Sequence, residues 1–225
     1  MPALSKEQRE SLDSRASRYA EHLDLAADWL AGRGIDLDHA RYEGLGVVVD
    51  PPAIDEVWDG RLSIPYITDF GVVGLSFRCL KPHVCKESVA YVKDGKEHKC
   101  SKYIRPNINP DMPVNLYGVR SFDDAADWIG VCEGELDSLI LRQIGIPAIS
   151  IPGAGNWEDH WINVFEDLSR IYVFADADEA GRKLYERLKD KLSMPVLKVR
   201  LPKGEDVNST YVKYGAQAII DRIKK

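Results

Sequence analysis

Three carboxylate clusters in the second half of the sequence have the types and spacing for divalent-metal chemistry. They are Glu133 with Asp137 in CEGELDSL, Asp176 with Asp178 in FADADEAG, and Glu205 with Asp206 in LPKGEDVN. Each follows an apolar run of the kind that forms a short buried strand: WIGVC (128–132), IYVFA (171–175) and PVLKVRL (195–201). Ligands of open α/β sheets sit at the carboxyl ends of the strands, so three strand ends would aim acids into one crevice. Asp137, four residues after Glu133 on the helix that begins there, can face the same crevice. Carboxylates gathered this way repel one another unless a cation lies among them. Mg2+ takes oxygen ligands, and there it polarises a phosphoryl oxygen, orients a nucleophile and steadies a leaving oxygen. Acids at helix N-termini also act as caps. Taken singly, Glu133, Asp176 or Asp178 reads as a cap; the placement of all three after strands favours a metal.

The elements that must position these acids are legible from residue 126 onward. Between the strands lie helical stretches: ELDSLILRQIG ended by Gly145, HWINVFEDL (160–168), DEAGRKLYERLKDKL, and a last helix from about Thr210 to Lys224. A further strand, IPAISI (146–151), precedes a GAGNW segment (153–157) that is either a plain turn or a backbone N–H cradle for phosphate. Strands alternating with helices of this length imply βαβ units and a mainly parallel sheet flanked by helices. We therefore expect two domains, 1–125 and 126–225, the first a smaller mixed α+β unit. Within it, residues 5–20 are helical, and Leu23, Ala26, Ala27 and Leu30 keep a helical rhythm. Asp36 caps a short helix, VVVDPP reads as a strand, and residues 60–78 form a hairpin turning at DFG with Gly71 in the turn. KYIRPNINPDMPVNLYG reads as an extended connection.

Composition is that of a soluble globular protein, with no apolar run of membrane-spanning length and a polar N-terminus unlike a signal peptide. The expected location is the cytoplasm. The net charge of −6 argues against a basic surface enveloping DNA, yet residues 78–105 hold eight Lys/Arg against three Asp/Glu. Such a basic island suits a localised anion site, or else a solvated lysine-rich loop.

The same island holds Cys79, His83, Cys85, His98 and Cys100, five soft ligands in CLKPHVC…EHKC. Zinc needs four in a tetrahedron, and the spacing is not that of a standard zinc ribbon. The other reading is a buried Cys79 packed in its strand with surface histidines. Cys132, before Glu133, is expected to do no more than pack.

The acidic motifs resemble those of the TOPRIM domain shared by DnaG-type primases, topoisomerases and some nucleases: a Glu after the first strand, then Asp-x-Asp after the third. GEDVN resembles the primase form. Upstream, AADWLAGRGIDLDHARYEGLG, the hairpin ending in Arg78, and SKYIRP followed by NLYG resemble the remainder of the DnaG-type catalytic core. The resemblance spans about residues 23–215 and implies a Rossmann-like TOPRIM sheet. It implies Glu133 as the central acid, Asp176 and Asp178 as principal ligands of Mg2+ or Mn2+, and Asp137 and Asp206 as assisting ones. Asn208 stands where the family has a second Asp. Arg78 and Lys102 match basic positions that hold template phosphate or incoming nucleoside triphosphate.

The implied activity is DNA-directed RNA primer synthesis from ribonucleoside triphosphates on a single-stranded DNA template during replication, in a compact form like that of some phage primases. No Cys pairs precede Cys79, so a zinc-binding template-recognition protein and a helicase are expected as separate partners, with no membrane partner. A TOPRIM nuclease, or a non-catalytic nucleic-acid-binding replication protein, would share part of this pattern.

Overall fold

The computed structural model describes residues 4–106, 115–151, 157–175 and 178–223. The chain divides into two compact units: Met1–Gly32 with Asp36–Met112, and Arg33–Ile35 with Pro113–Lys225.

The first unit opens with α1 (Lys6–Ala20), started by a capping box in which Ser5 and Gln8 satisfy each other's backbone N–H. A 3₁₀ turn (Leu23–Ala26), α2 (Ala27–Ala31) and α3 (Leu37–Tyr42) follow, and Asp36 caps α3 by accepting from His39 N at 2.9 Å. The strands are β1 (Gly46–Val47), β2 (Leu62–Thr68), β3 (Gly71–Arg78), β4 (Val89–Lys93), β5 (Lys96–Lys99) and β6 (Tyr103–Ile104). An antiparallel sheet runs β1-β2-β3-β6, with β4 and β5 forming a separate hairpin. Leu12, Ala16 and Tyr19 on α1 share a buried cluster with Val72, Leu75 and Phe77 of β3, which is the burial that holds an amphipathic helix on a sheet. The expected hairpin at DFG is present. Gly71 has φ +98, a conformation strained for any L side chain, and a Cβ there would lie 2.9 Å from Asp13 Oδ2 on α1.

Two elements differ from expectation here. VVVDPP contributes only its first residue to the strand, because Val48 bonds to Gly60 and Arg61 in the loop before β2 and Asp50 adopts φ +44. Residues 79–100 contain a true hairpin, turned at Asp94-Gly95 with positive φ at both, the geometry that matches strand twist.

The second unit contains α4 (Ser121–Asp124), β7 (Trp128–Cys132), α5 (Glu135–Gln143), β8 (Ala148–Ser150), β9 (Arg170–Phe174), α6 (Glu179–Lys191), β10 (Val196–Lys198), α7 (Val207–Tyr214) and α8 (Ala216–Ile223). Its sheet is parallel throughout, in the order β10-β9-β7-β8. Ile129, Val131, Ile149, Ile171 and Val173 form its buried centre, packed with Phe165, Leu184 and Leu188.

The units part at residues 112/113, earlier than residue 125. Leu116 joins the second core, Tyr117 bridges Ser150, and Ser121 Oγ donates to Ala148 O at 2.9 Å. Residues 33–35 join it as well: Gln143 Nε2 donates to Gly34 O at 2.9 Å and Asn208 Nδ2 to Arg33 O at 2.6 Å. The helix expected over 160–168 is a 3₁₀ helix, Asp159–Phe165. The final helix is two, because Gly215 at φ +77 ends α7. Among the described residues, no helix is long and apolar enough to cross a membrane.

Candidate active site

β7 and β9 are neighbours in the parallel sheet, with Cys132 opposite Phe174. The chain therefore leaves two adjacent strands at one level, one residue before Glu133 and four before Asp178. β8 lies on the other side of β7, so the strand order reverses there, the switch point at which open α/β sheets take their ligands. Glu133 is half-buried at this strand end.

The next residue, Gly134, is the N-cap of α5, and a Cβ on it would stand 3.0 Å from Asp137 Oδ2. The missing side chain lets Asp137, in the first turn of α5, lie back over the strand end. Asp137 Oδ1 accepts from Asn208 N at 3.0 Å. Asp206, the N-cap of α7, accepts from Ser209 N at 2.6 Å. Asp137 and Asp206 thus both serve the N-terminus of α7, where exposed N–H groups and the positive end of the helix dipole favour carboxylates. Asp178 is the N-cap of α6, accepting from Gly181 N at 2.9 Å.

The capping role weighed against metal binding is therefore real for Asp178 and Asp206. It uses one carboxylate oxygen of each, and among the described residues Glu133, Asp137, Asp178 and Asp206 do not form a group of three or more ligand atoms close enough to share one ion. Asp176 and the GAGN segment (153–156) lie outside the described residues. Glu205 is engaged elsewhere: Lys213 Nζ sits 2.6 Å from its Oε1, and that hydrogen bond, aided by Ser209, lowers the Glu205 pKa below the usual carboxylate range.

In the first unit, Arg78 ends β3 and is buried. Its guanidinium lies over the rings of Trp29 (5.4 Å) and Tyr103 (4.9 Å), and Nη1 donates to Cys79 O at 3.0 Å and Lys102 O at 3.3 Å. Its Nε is buried with no hydrogen-bond partner among the described residues. Arg78 is thus committed to rings and carbonyls, whereas Lys102 is exposed.

Of the five soft ligands, Cys79, His83, Cys85 and Cys100 come together, their ligand atoms all within 4.8 Å of one another. Among the described residues this is the one such group of three or more His, Cys, Asp or Glu. His98 is not in it; on β5 it stacks on Tyr91 with centroids 4.6 Å apart.

Two partners were invisible in the sequence. Buried Arg61 donates from Nη2 to Cys100 Sγ at 3.3 Å, across a separation no spacing rule spans. The Asn208 side-chain amide donates to Arg33 O, which a carboxylate at that position cannot do. The departure from the expected Asp at 208 thus has a structural use.

The chain is similar to known proteins in both sequence and fold. The Toprim-like family matches residues 130–211. The Gene 57 protein of Mycobacterium phage D29 is 32% identical over 172 residues, covering 74% of this chain and all of that protein. The DNA primase of Pseudomonas putida KT2440 is 26% identical over 257 residues, covering all of this chain, which in turn spans only 37% of that primase. In fold, the chain is similar to the RNA polymerase domain of Mycobacterium tuberculosis primase DnaG, solved in complex with a double-stranded DNA oligomer bearing a 6-nucleotide overhang. The TM-score is 0.74 at 20% identity, covering 98% of this chain and 81% of that one.

Proposed function

The chain belongs to the DnaG-type primase family, whose catalytic cores carry a Toprim domain, and on that premise we propose that it synthesises short RNA primers on single-stranded DNA by metal-dependent nucleotidyl transfer. The observation that supports the proposal is the register of β7 with β9, in which Cys132, one residue before Glu133, stands opposite Phe174, four residues before Asp178.

In this reading Glu133, Asp176 and Asp178 hold Mg2+ or Mn2+, and Asp137 and Asp206 support them from the N-terminus of α7. The bound cation supplies Lewis acidity toward the triphosphate. The protein's part is positional. Gly134 keeps the strand end open, the α7 N–H groups hold Asp137 and Asp206 in fixed directions, and exposed Lys102 offers an ammonium to template or triphosphate oxygens. Arg78 acts from behind, holding the Lys102 backbone rather than reaching a phosphate itself.

The deciding experiment incubates the protein with single-stranded DNA, labelled ribonucleoside triphosphates and Mg2+ or Mn2+, without an added primer terminus. Short labelled RNA that disappears in Asp176→Ala supports the proposal. Shortened DNA instead would assign the same acids to a nuclease, and DNA binding without either product would leave a binding protein.

A further inference from the structure

We propose that Cys79, His83, Cys85 and Cys100 bind one structural zinc ion in the first unit, independent of the metal of the acidic site and of the primase reading. The distances are those of a zinc tetrahedron. Cys100 Sγ lies 3.6 Å from Cys79 Sγ and 3.7 Å from Cys85 Sγ, and Cys79 Sγ lies 3.5 Å from His83 Nε2. With Zn–S of about 2.3 Å and Zn–N of about 2.0–2.1 Å, tetrahedral angles require about 3.8 Å between sulfurs and about 3.5 Å from sulfur to imidazole nitrogen. A disulfide would need about 2.05 Å between one pair of sulfurs and would leave the third thiol and the imidazole without a purpose. All four cysteines of the chain are free thiols.

The backbone holds the ligands in place without the ion. Cys79 follows β3, and its N–H donates to Lys102 O at 3.0 Å. His83 and Cys85 lie in the turn that follows. Lys86, at φ +76, donates its N–H to Cys100 O at 2.6 Å, which draws the two ligand-bearing segments together. Cys100 N–H donates in turn to Ser88 O at 2.8 Å, just beyond β5.

Coordination as three thiolates releases three thiol protons to solvent and leaves the zinc centre with one net negative charge. Arg61 answers it directly: its Nη2 touches Cys100 Sγ at 3.3 Å and its Nη1 donates to Ser101 O at 2.9 Å. A buried cation hydrogen-bonded to a ligand sulfur is the kind of outer partner that tunes and orients a metal site. With four protein ligands the site has no open position for a substrate, so its role is structural. It fastens the base of the β4–β5 hairpin to the β3–β6 pair, on both flanks of the Arg78 and Lys102 carbonyl contacts.

The test uses the full chain, purified without chelator. Elemental analysis should find about one zinc per chain. Replacement by Co2+ should give the intense visible bands of tetrahedral cobalt with thiolate charge transfer. Cys85→Ser and His83→Ala should each lower the zinc content several-fold, while His98→Ala and Cys132→Ser keep it. In the unmutated protein, stripping the metal should raise the alkylation rate of Cys85 at least about tenfold, a readout that needs no variant to fold. Protein without metal whose Cys85 alkylates equally fast before and after chelator overturns the proposal. So does a Cys79–Cys100 disulfide in the isolated protein, or zinc retained in full by Cys85→Ser.

Discussion

Asp178 answers two demands with one side chain. As the α6 N-cap it accepts the Gly181 N–H, and in the proposed reaction its charge also serves a cation. The two demands separate cleanly by substitution. Asn keeps a carbonyl oxygen to accept from Gly181 but carries no charge, whereas Ala loses both. Asp178→Asn should therefore leave the thermal midpoint nearly unchanged while primer synthesis falls on the order of a hundredfold. Asp178→Ala should lose the same activity and about 1 kcal/mol of stability besides. Equal activity in Asp178→Asn and the unmutated protein, measured at saturating Mg2+, would make this residue a cap and nothing more. The sequence pattern placed Glu133 after a strand and Asp178 at a helix start because strand ends and helix starts are local features. What it could not carry was the bond from Asn208 N to Asp137, or from the Asn208 amide to Arg33 O, since these join residues 71 and 175 positions apart.

At the scale of elements, α1 is fixed to the first unit by a buried charge as well as by its apolar face. Arg15 Nη1 donates to both oxygens of Asp55 at 2.8 Å, and Tyr19 Oη donates to Asp55 Oδ2 at 2.7 Å, with the Asp55 side chain fully buried. Removing one partner strands the other, so Asp55→Ala should cost about 3–5 kcal/mol in chemical denaturation. Burial, the hydrogen bond to Asp55 and its negative charge together push the Tyr19 phenol well above its ordinary value. The folded chain then keeps a proton that the unfolded chain releases above about pH 10. That contribution is harmless below pH 10 and becomes destabilising as pH rises past it. Denaturation midpoints should fall between pH 9 and pH 11 in the unmutated protein, and fall less in Tyr19→Phe. Elements built on period and caps, such as α1, α5, β7 and β9, were readable in advance. The β4–β5 hairpin was not, because most of its side chains are exposed and leave no hydrophobic alternation, although its Asp94-Gly95 turn carried the local signal. The 3₁₀ helix at Asp159–Phe165 escaped for the opposite reason: its apolar residues suit either helix type.

For the whole molecule, charge limits how nucleic acid can be held. The chain carries −6 overall, yet residues 78–105 carry a clear positive excess within the first unit. Under the proposed function, a single strand bound there would meet a short cationic stretch on a protein of net negative charge, so only a few phosphates would be neutralised. Each neutralised phosphate on a single strand contributes a log–log salt slope of about −0.7. Three to five contacts, an estimate from the exposed lysines of this stretch, give an expected slope of about −2 to −4 for a single-stranded oligonucleotide between 50 and 200 mM salt. Lys102→Ala should make the slope shallower by about 0.7, while Arg78→Ala, which removes a buried group, should act on stability first. Fluorescence anisotropy across that salt range measures both. A slope steeper than about −7 would mean that phosphates are neutralised well beyond this stretch. A slope of zero would mean that bases, and not the backbone, carry the binding. Either result would move the template away from the basic segment and leave Lys102 as an ordinary surface cation.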